Sequence, residues 1–218
     1  MAGSSNVCAG PFGAFYDFYI ERPRLAQAIG HMVWGVGLAA LYASMEAVGR
    51  MQDGATILDV PCGGGVALRA LRPEQRVRYV AIDIEQKMID RFQRRARERS
   101  LHQVEPLLGD MRALPLPDAC ADLCLSYSGL HMISDPAAAI AEVVRCLKPG
   151  GELIGTTFLA AGTRRQRFLL GRGHDSGVNG PCPPTQDLLR WLQDAGIDAP
   201  TVSPDRGFAV FRGRKRAG

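Results

Sequence analysis

The chain has 218 residues, 46% of them hydrophobic and 22% charged, enough to bury the core of one full domain and the composition of a globular protein rather than a disordered one. Its net charge of +4 rests almost wholly on arginine, with lysine only at 87, 148 and 215, and no basic face of the kind a nucleic-acid binder needs. The longest apolar run, residues 32–43, is too short and too rich in glycine to span a bilayer, and no secretory signal precedes it.

Six scattered cysteines, Cys8, Cys62, Cys120, Cys124, Cys146 and Cys182, read as reduced thiols of a cytoplasmic protein. Cys120 and Cys124 near His131 have half of a zinc spacing, but no second ligand pair follows, so no metal is expected. The basic residues 212–216 read as a solvated fray.

The first fifty residues lack strand character. Phe12, Phe15, Tyr16, Phe18 and Tyr19 cluster ahead of Pro23, and a helical pattern runs from Arg24 to Val48 through Gly30, Gly35 and Gly37. This portion, 1–50, is expected to be a helical lid or cap on the domain formed by 51–218. For any one aromatic, packing on the outside of the sheet serves equally well.

Thr56 to Val60 is a β-branched, apolar run suited to a strand buried on both faces. It enters Gly63-Gly64-Gly65, where absent Cβ atoms let a ligand approach bare backbone, and then the helix-forming stretch Val66 to Leu71. Val77 to Asp83 is a second strand ending in an acid. Glu85 to Arg99 is an amphipathic helix with Met88, Ile89, Phe92 and Ala96 on one side. Gln103 to Leu108 is a third strand, closed by Gly109-Asp110. Met111 to Cys120 is loop, and Ala121 to Tyr127 is a fourth strand.

Asp135-Pro136 opens a helix that stops at Lys148-Pro149-Gly150-Gly151. Strand Glu152 to Phe158 follows, then an irregular insert at 160–184, a helix from Thr185 to Ala195, and a hairpin of Thr201-Val202 with Phe208 to Phe211. Alternating strands and helices ending in two strands imply an α/β fold, a doubly wound sheet of seven strands, mostly parallel with an antiparallel edge hairpin.

In such a sheet the ligand lies at the carboxyl ends of the strands. Asp59, Asp83, Asp110, Ser126, Tyr127 and Ser128 stand there. An acid ending the second strand is placed for both hydroxyls of a ribose, with a helix N-cap as the plain alternative. A dinucleotide spacing fails, because Leu68 stands where its last small residue belongs.

Asp59-Val60-Pro61-Cys62-Gly63-Gly64-Gly65 resembles the Asp-x-Gly-x-Gly-x-Gly turn of the class I S-adenosylmethionine-dependent methyltransferases. Tyr79 to Asp83, Gly109-Asp110-Met111 with Leu114-Pro115-Leu116, Asp122 to Ser126 through Leu130-His131, and Leu147 to Gly151 are similar to that family's later motifs, in order. The likeness is greatest to its small-molecule, quinone-biosynthesis-like type 11 branch. It implies a Rossmann-like fold, S-adenosyl-L-methionine as cofactor, and methylation of a small, hydrophobic or aromatic acceptor on oxygen, nitrogen or carbon. Asp59, Cys62 and Gly63 to Gly65 would then hold the methionine end, Asp83 the ribose, Asp110 and Met111 the adenine, and Ser126 the far wall. Ile84 and Met88 would flank the ring, or serve as ordinary core, and Tyr16 would close over the cofactor. Pro61 departs from the family's first glycine and removes an N–H.

His131 is the candidate base, with packing of the next helix as its alternative. Phe15, Tyr19, Trp34, Phe168 and Leu169 point to an apolar acceptor, and Arg164, Arg165 and Arg167 to an acidic group on it or to a solvated face. A homodimer is allowed, and neither nucleic acid nor membrane is expected as a partner. An NAD(P)-dependent oxidoreductase or a non-catalytic cofactor-binding protein remains the alternative on fold alone.

Overall fold

The computed structural model describes residues 19–20, 22–175, 180 and 182–217, and for 173–175 the backbone only. Tyr16, Phe12, Phe15 and Phe18 lie outside the described residues.

The described residues form one sheet of seven strands, β1 (Thr56–Asp59), β2 (Arg78–Asp83), β3 (Val104–Leu108), β4 (Ala121–Tyr127), β5 (Leu147–Phe158), β6 (Ile197–Asp205) and β7 (Phe208–Lys215). Their order is β3-β2-β1-β4-β5-β7-β6, with β7 antiparallel to both its neighbours and every other pairing parallel. The chain leaves β1 for β2 on one side and later returns to β4 on the other. The order therefore reverses between β1 and β4, and their carboxyl ends flank a crevice.

The lack of polar alternation in these strands is accounted for by burial on both faces. Ile57, Tyr79, Leu123 and Leu125 join one apolar layer, with α1 (Pro23–Ile29), α2 (Ala39–Gly49) and α3 (Gln86–Glu98). Leu58, Val80, Ile82, Cys124 and Leu153 join the other, with α4 (Pro136–Cys146) and α6 (Thr185–Asp194). In α3, Met88, Ile89, Phe92 and Ala96 are the buried residues, as its periodicity requires. Asp135 caps α4 by accepting the Ala138 N–H at 3.0 Å, with Pro136 in the first turn.

Five local expectations are corrected. The pattern from Arg24 to Val48 is two helices joined by a π turn, Gly30–Trp34, that ends at Gly35 with φ 71°. The chain folds back so closely that a Cβ on Gly30 would lie 2.7 Å from the Val36 carbonyl, and Gln27 Oε1 accepts the Leu38 N–H at 2.8 Å. The segment after the glycine turn is a five-residue 3₁₀ turn, Val66–Ala70, not an α-helix. Within 160–184 lies α5 (Arg164–Asp175). The terminal hairpin is longer than expected and turns on Arg206 and Gly207, both at positive φ. Its basic end is no fray: Arg212 pairs with Glu152 at 2.6 Å, and the Lys215 ammonium donates to the Leu147 carbonyl at 2.8 Å.

No helix among the described residues is long and apolar enough to cross a membrane. Cys62, Cys120, Cys124, Cys146 and Cys182 are free thiols.

Candidate cofactor and acceptor site

The glycine turn begins where β1 ends. The Val60 N–H donates to the Leu125 carbonyl and the Cys62 N–H to the Ile82 carbonyl, each at 2.9 Å, so the turn is pinned between β4 and β2. The Val60–Pro61 peptide is cis, and the Pro61 ring packs onto Gly129 at the end of β4 so closely that no Cβ fits there. Proline is thus accommodated where the family has glycine, with glycine supplied by the facing loop.

Gly63 and Gly65 have φ of 50° and 85°. A Cβ on Gly63 would meet nothing within 4 Å, whereas one on Gly65 would lie 2.9 Å from the Phe92 ring. The first glycine leaves a ledge open to a ligand; the second lets α3 close on the turn.

Two carboxylates stand at the ends of β1 and β2, beside this turn. Asp83, at the end of β2, accepts the Gly63 N–H at 2.9 Å and the Glu85 N–H at 3.0 Å. Asp59, 1% exposed, accepts the Tyr79 hydroxyl at 2.8 Å. Burial raises both acids above the ordinary range, Asp59 to about 7. The third acid, Asp110, follows Gly109, whose N–H donates to the Asp83 carbonyl at 2.9 Å. Its carboxylate is engaged by Arg112, with the shortest contact 2.6 Å, and this pairing holds it below the usual carboxylate range. Ile84 is 57% exposed at the same tip, and Leu108, which pairs with Asp83 in the sheet, is 56% exposed.

Other expected residues lie elsewhere. Ser126 and Met111 face the α4 layer, lining an interior gap with Ile140, Val143 and Phe211, and the Ser126 hydroxyl has no hydrogen-bond partner among the described residues. The alternation of β4 explains this, because Cys124 and Ser126 share the face opposite Leu125 and Tyr127. Met88 is buried beneath α3, where its sulfur meets the Arg91 guanidinium at 3.9 Å. Cys62 is buried in the turn, and desolvation pushes its thiol well up.

His131 sits in a 3₁₀ turn, Leu130–Met132, just beyond β4. Its ring meets Phe158 edge-on with centroids 5.1 Å apart, and Nδ1 accepts the Phe158 N–H at 3.5 Å. Desolvation lowers its pKa to about 4, so it is neutral at neutral pH. Phe158 in turn packs on Trp34 at 4.9 Å and on Phe208 at 5.2 Å. The buried Gln166 fastens this apolar wall, donating to the Trp34 carbonyl and accepting the Thr163 N–H, both at 2.6 Å. Tyr19 is buried and Phe168 is 63% exposed.

Sequence reasoning missed Tyr79, Leu108 and Phe158. For Tyr79 a signal existed, since a phenol in an otherwise apolar, doubly buried strand needs a polar partner.

A glycine ledge and paired acids at the switch point of a 3-2-1-4-5-7-6 sheet define a Rossmann-like protein built for an adenosyl ligand. A family model described as a methyltransferase domain matches residues 58–155. The chain is 34% identical over 181 residues to an uncharacterized 37.1 kDa protein in transposon TN4556 of Streptomyces fradiae, covering 76% of this chain and 49% of that one. It is 38% identical over 163 residues to malonyl-[acyl-carrier protein] O-methyltransferase of Serratia marcescens, covering 75% and 56%. The chain thus spans about half the length of these curated relatives. Phosphoethanolamine N-methyltransferase 2 of Haemonchus contortus, solved in complex with S-adenosyl-L-methionine, shares the fold with a TM-score of 0.78 at 14% identity, covering 99% of this chain and 61% of that one. Residues 58–155 thus form a methyltransferase domain of the type 11 kind, and the relatives support a class I S-adenosylmethionine-dependent methyltransferase. Nothing in these likenesses supports the oxidoreductase alternative.

Proposed function

We propose that this protein methylates a small, hydrophobic or aromatic acceptor held against the wall of Trp34, Phe158 and His131. The observation that carries the reading is the open ledge at Gly63, flanked by Asp59 and by Asp83, whose carboxylate ties the ledge to β2. These residues fit S-adenosylmethionine: bare backbone for close approach, an acid for the ribose, and a buried acid for the cationic end. In this reading Asp110 reaches the adenine, and Ile84 with Leu108 covers its ring. Ser126, Met111 and Met88 serve the packing around the site.

When bound, the cofactor supplies a methyl group already activated by a sulfonium charge. The protein's task is alignment, which contributes roughly 7–11 kcal/mol in well-oriented reactions. His131 is the proposed proton acceptor. It is neutral and therefore able to accept, but its low basicity restricts it to acceptors with an acidic proton. The Serratia relative is named for O-methylation of malonyl-[acyl-carrier protein], and an oxygen acceptor ionised at neutral pH needs no base. The helices before β1 and the segment with α5 are the proposed lid and acceptor selectors. A cytoplasmic location and a homodimer belong to the same reading.

Thermal-shift titration tests it. S-adenosylhomocysteine raises the melting temperature and NADH does not, the stabilisation reaching about 2.7 kcal/mol at a hundred times Kd. Asp83→Ala abolishes that shift, while His131→Ala keeps it and slows methyl transfer to a panel of acceptors read by mass spectrometry. A shift with NADH alone refutes the proposal.

A further inference from the structure

A cavity of about 220 Å³ opens beside the glycine turn, and its lining includes neither Gly63 nor the acids that end β1 and β2. Gly65, Val66, Arg69, Arg95, Glu98 and Arg99 enclose it. Arg69 comes from the 3₁₀ turn Val66–Ala70, Arg95 from the last turn of α3, and Arg99 from the residue just past that helix. Three guanidiniums therefore surround one space, against a single carboxylate. Glu98 leans away toward Arg94 of its own helix, at 3.9 Å.

Arginines elsewhere on the sheet meet acids: Arg78, Arg112, Arg145 and Arg212 each hold a carboxylate at 2.6 or 2.7 Å. Among the described residues, neither Arg69 nor Arg99 forms an ion pair. The Arg69 guanidinium lies over the Tyr42 ring at 4.6 Å, which holds it by its face and not by its N–H edge. Arg99 donates to the Arg69 carbonyl at 3.3 Å, a bond that uses one of the five N–H groups a guanidinium has. Arg69 and Arg95 are half-buried, so solvent screens them less than surface charges.

Like charges gathered around a space repel, and a multiply charged anion between them reverses that term. The space is smaller than the roughly 300–1,000 Å³ of pockets for drug-sized ligands. Val66 is its one apolar side chain, which excludes a large or greasy occupant. Guanidinium forks match pairs of phosphate oxygens. The carboxyl end of α3 opposes an anion, but with a fraction of a charge against three whole ones.

We propose that this cavity is an anion site that takes a phosphate or diphosphate group on Arg69, Arg95 and Arg99. The bound group ties the Val66–Ala70 turn to the end of α3. The inference is independent of the cofactor reading.

The test is calorimetric titration of the whole chain with inorganic diphosphate at fixed ionic strength, so that screening is the same in every run. Arg69→Gln and Arg99→Gln each weaken diphosphate about tenfold, the loss of one charge-assisted contact. Arg190→Gln removes the same charge from α6, where Arg190 pairs with Asp187 at 2.9 Å, and leaves the diphosphate Kd unchanged. Glycerol 3-phosphate separates the sources. Binding with the same arginine dependence assigns the phosphate arm of a larger molecule, and binding of diphosphate alone assigns the free ion. With diphosphate bound, hydrogen exchange slows in Val66–Ala70 and at the end of α3, which diffuse charge neutralisation does not produce. Saturating S-adenosylhomocysteine leaves the diphosphate Kd unchanged; displacement puts the ion on the Gly63 ledge instead. That displacement, failure of both probes to bind the native chain, or an equal loss in Arg190→Gln overturns the inference. Diphosphate binding of this kind in a chain that ignores S-adenosylhomocysteine refutes only the cofactor reading.

Discussion

At the scale of single residues, the two left-handed glycines of the turn do different work. Gly63→Ala places its methyl in open space, so the cost to folding is roughly 1–2 kcal/mol of backbone strain, while the ledge for the ligand is filled. Urea unfolding changes little and S-adenosylhomocysteine affinity falls at least tenfold. Gly65→Ala bears the same strain and also pushes against Phe92 and Leu68, so it loses more stability, about 2–4 kcal/mol. Gly129→Ala collides with Pro61, and urea unfolding shows a loss of roughly 1–3 kcal/mol. These positions were legible to different degrees. Gly63 and Gly65 announce themselves by following a buried strand, and Asp83 by ending the next one. Gly129 carries no local sign, because its constraint comes from a proline 68 positions earlier in the chain. The facing of Ser126 was hidden for a related reason: standing at a strand tip says nothing of which face the hydroxyl takes until the strand's neighbours fix the pleat.

At the scale of elements, regular periodicity was readable and irregular backbone was not. The helix α3 declares itself by the spacing of Met88, Ile89, Phe92 and Ala96, and α4 by its cap. The break after Ile29 is set by a contact between Gly30 and Val36 that forms only once the chain has doubled back. Gln166 is the tie between that π turn and α5. Gln166→Ala leaves the Trp34 carbonyl and Thr163 N–H without a partner in the protein, and costs about 1–3 kcal/mol. Hydrogen exchange rises in the Gly30–Trp34 turn and the first turn of α5, with the central strands unchanged. If exchange rose uniformly, the tie would be part of the global fold rather than of a local strap.

For the whole molecule, two of the groups that make stability depend on pH act in opposite directions. Asp59 is raised from 3.8 to about 7 in the fold, so the native state holds a proton that the unfolded chain gives up, and stability falls as pH rises through that window. His131 is lowered from 6.5 to about 4, so the native state resists a proton that the unfolded chain takes, and stability is lost as pH falls through that window. The windows overlap between pH 4 and 6.5, where the slopes offset. Asp59→Asn removes the first term, leaving a protein whose stability relative to the native sequence improves from pH 4 to 7.5 by up to about 4 kcal/mol. His131→Gln removes the second, and its relative stability improves as pH falls from 6.5 to 4 by roughly 3 kcal/mol. Urea midpoints taken across that range on the three proteins check both signs.

From the order of its residues alone this chain determined its strands, its winding, the glycine turn and the acids that end β1 and β2. Strand and helix periods, the freedom of glycine and the cost of burying a charge all act over a few neighbouring residues. Tertiary structure decided which way Ser126 and Met111 face, that Tyr79 reaches Asp59, that Arg112 takes Asp110, and that His131 is dry and neutral. Each of these depends on what a distant segment brings alongside: burial and hydrogen bonding are properties of the packed interior, and no local stretch contains them.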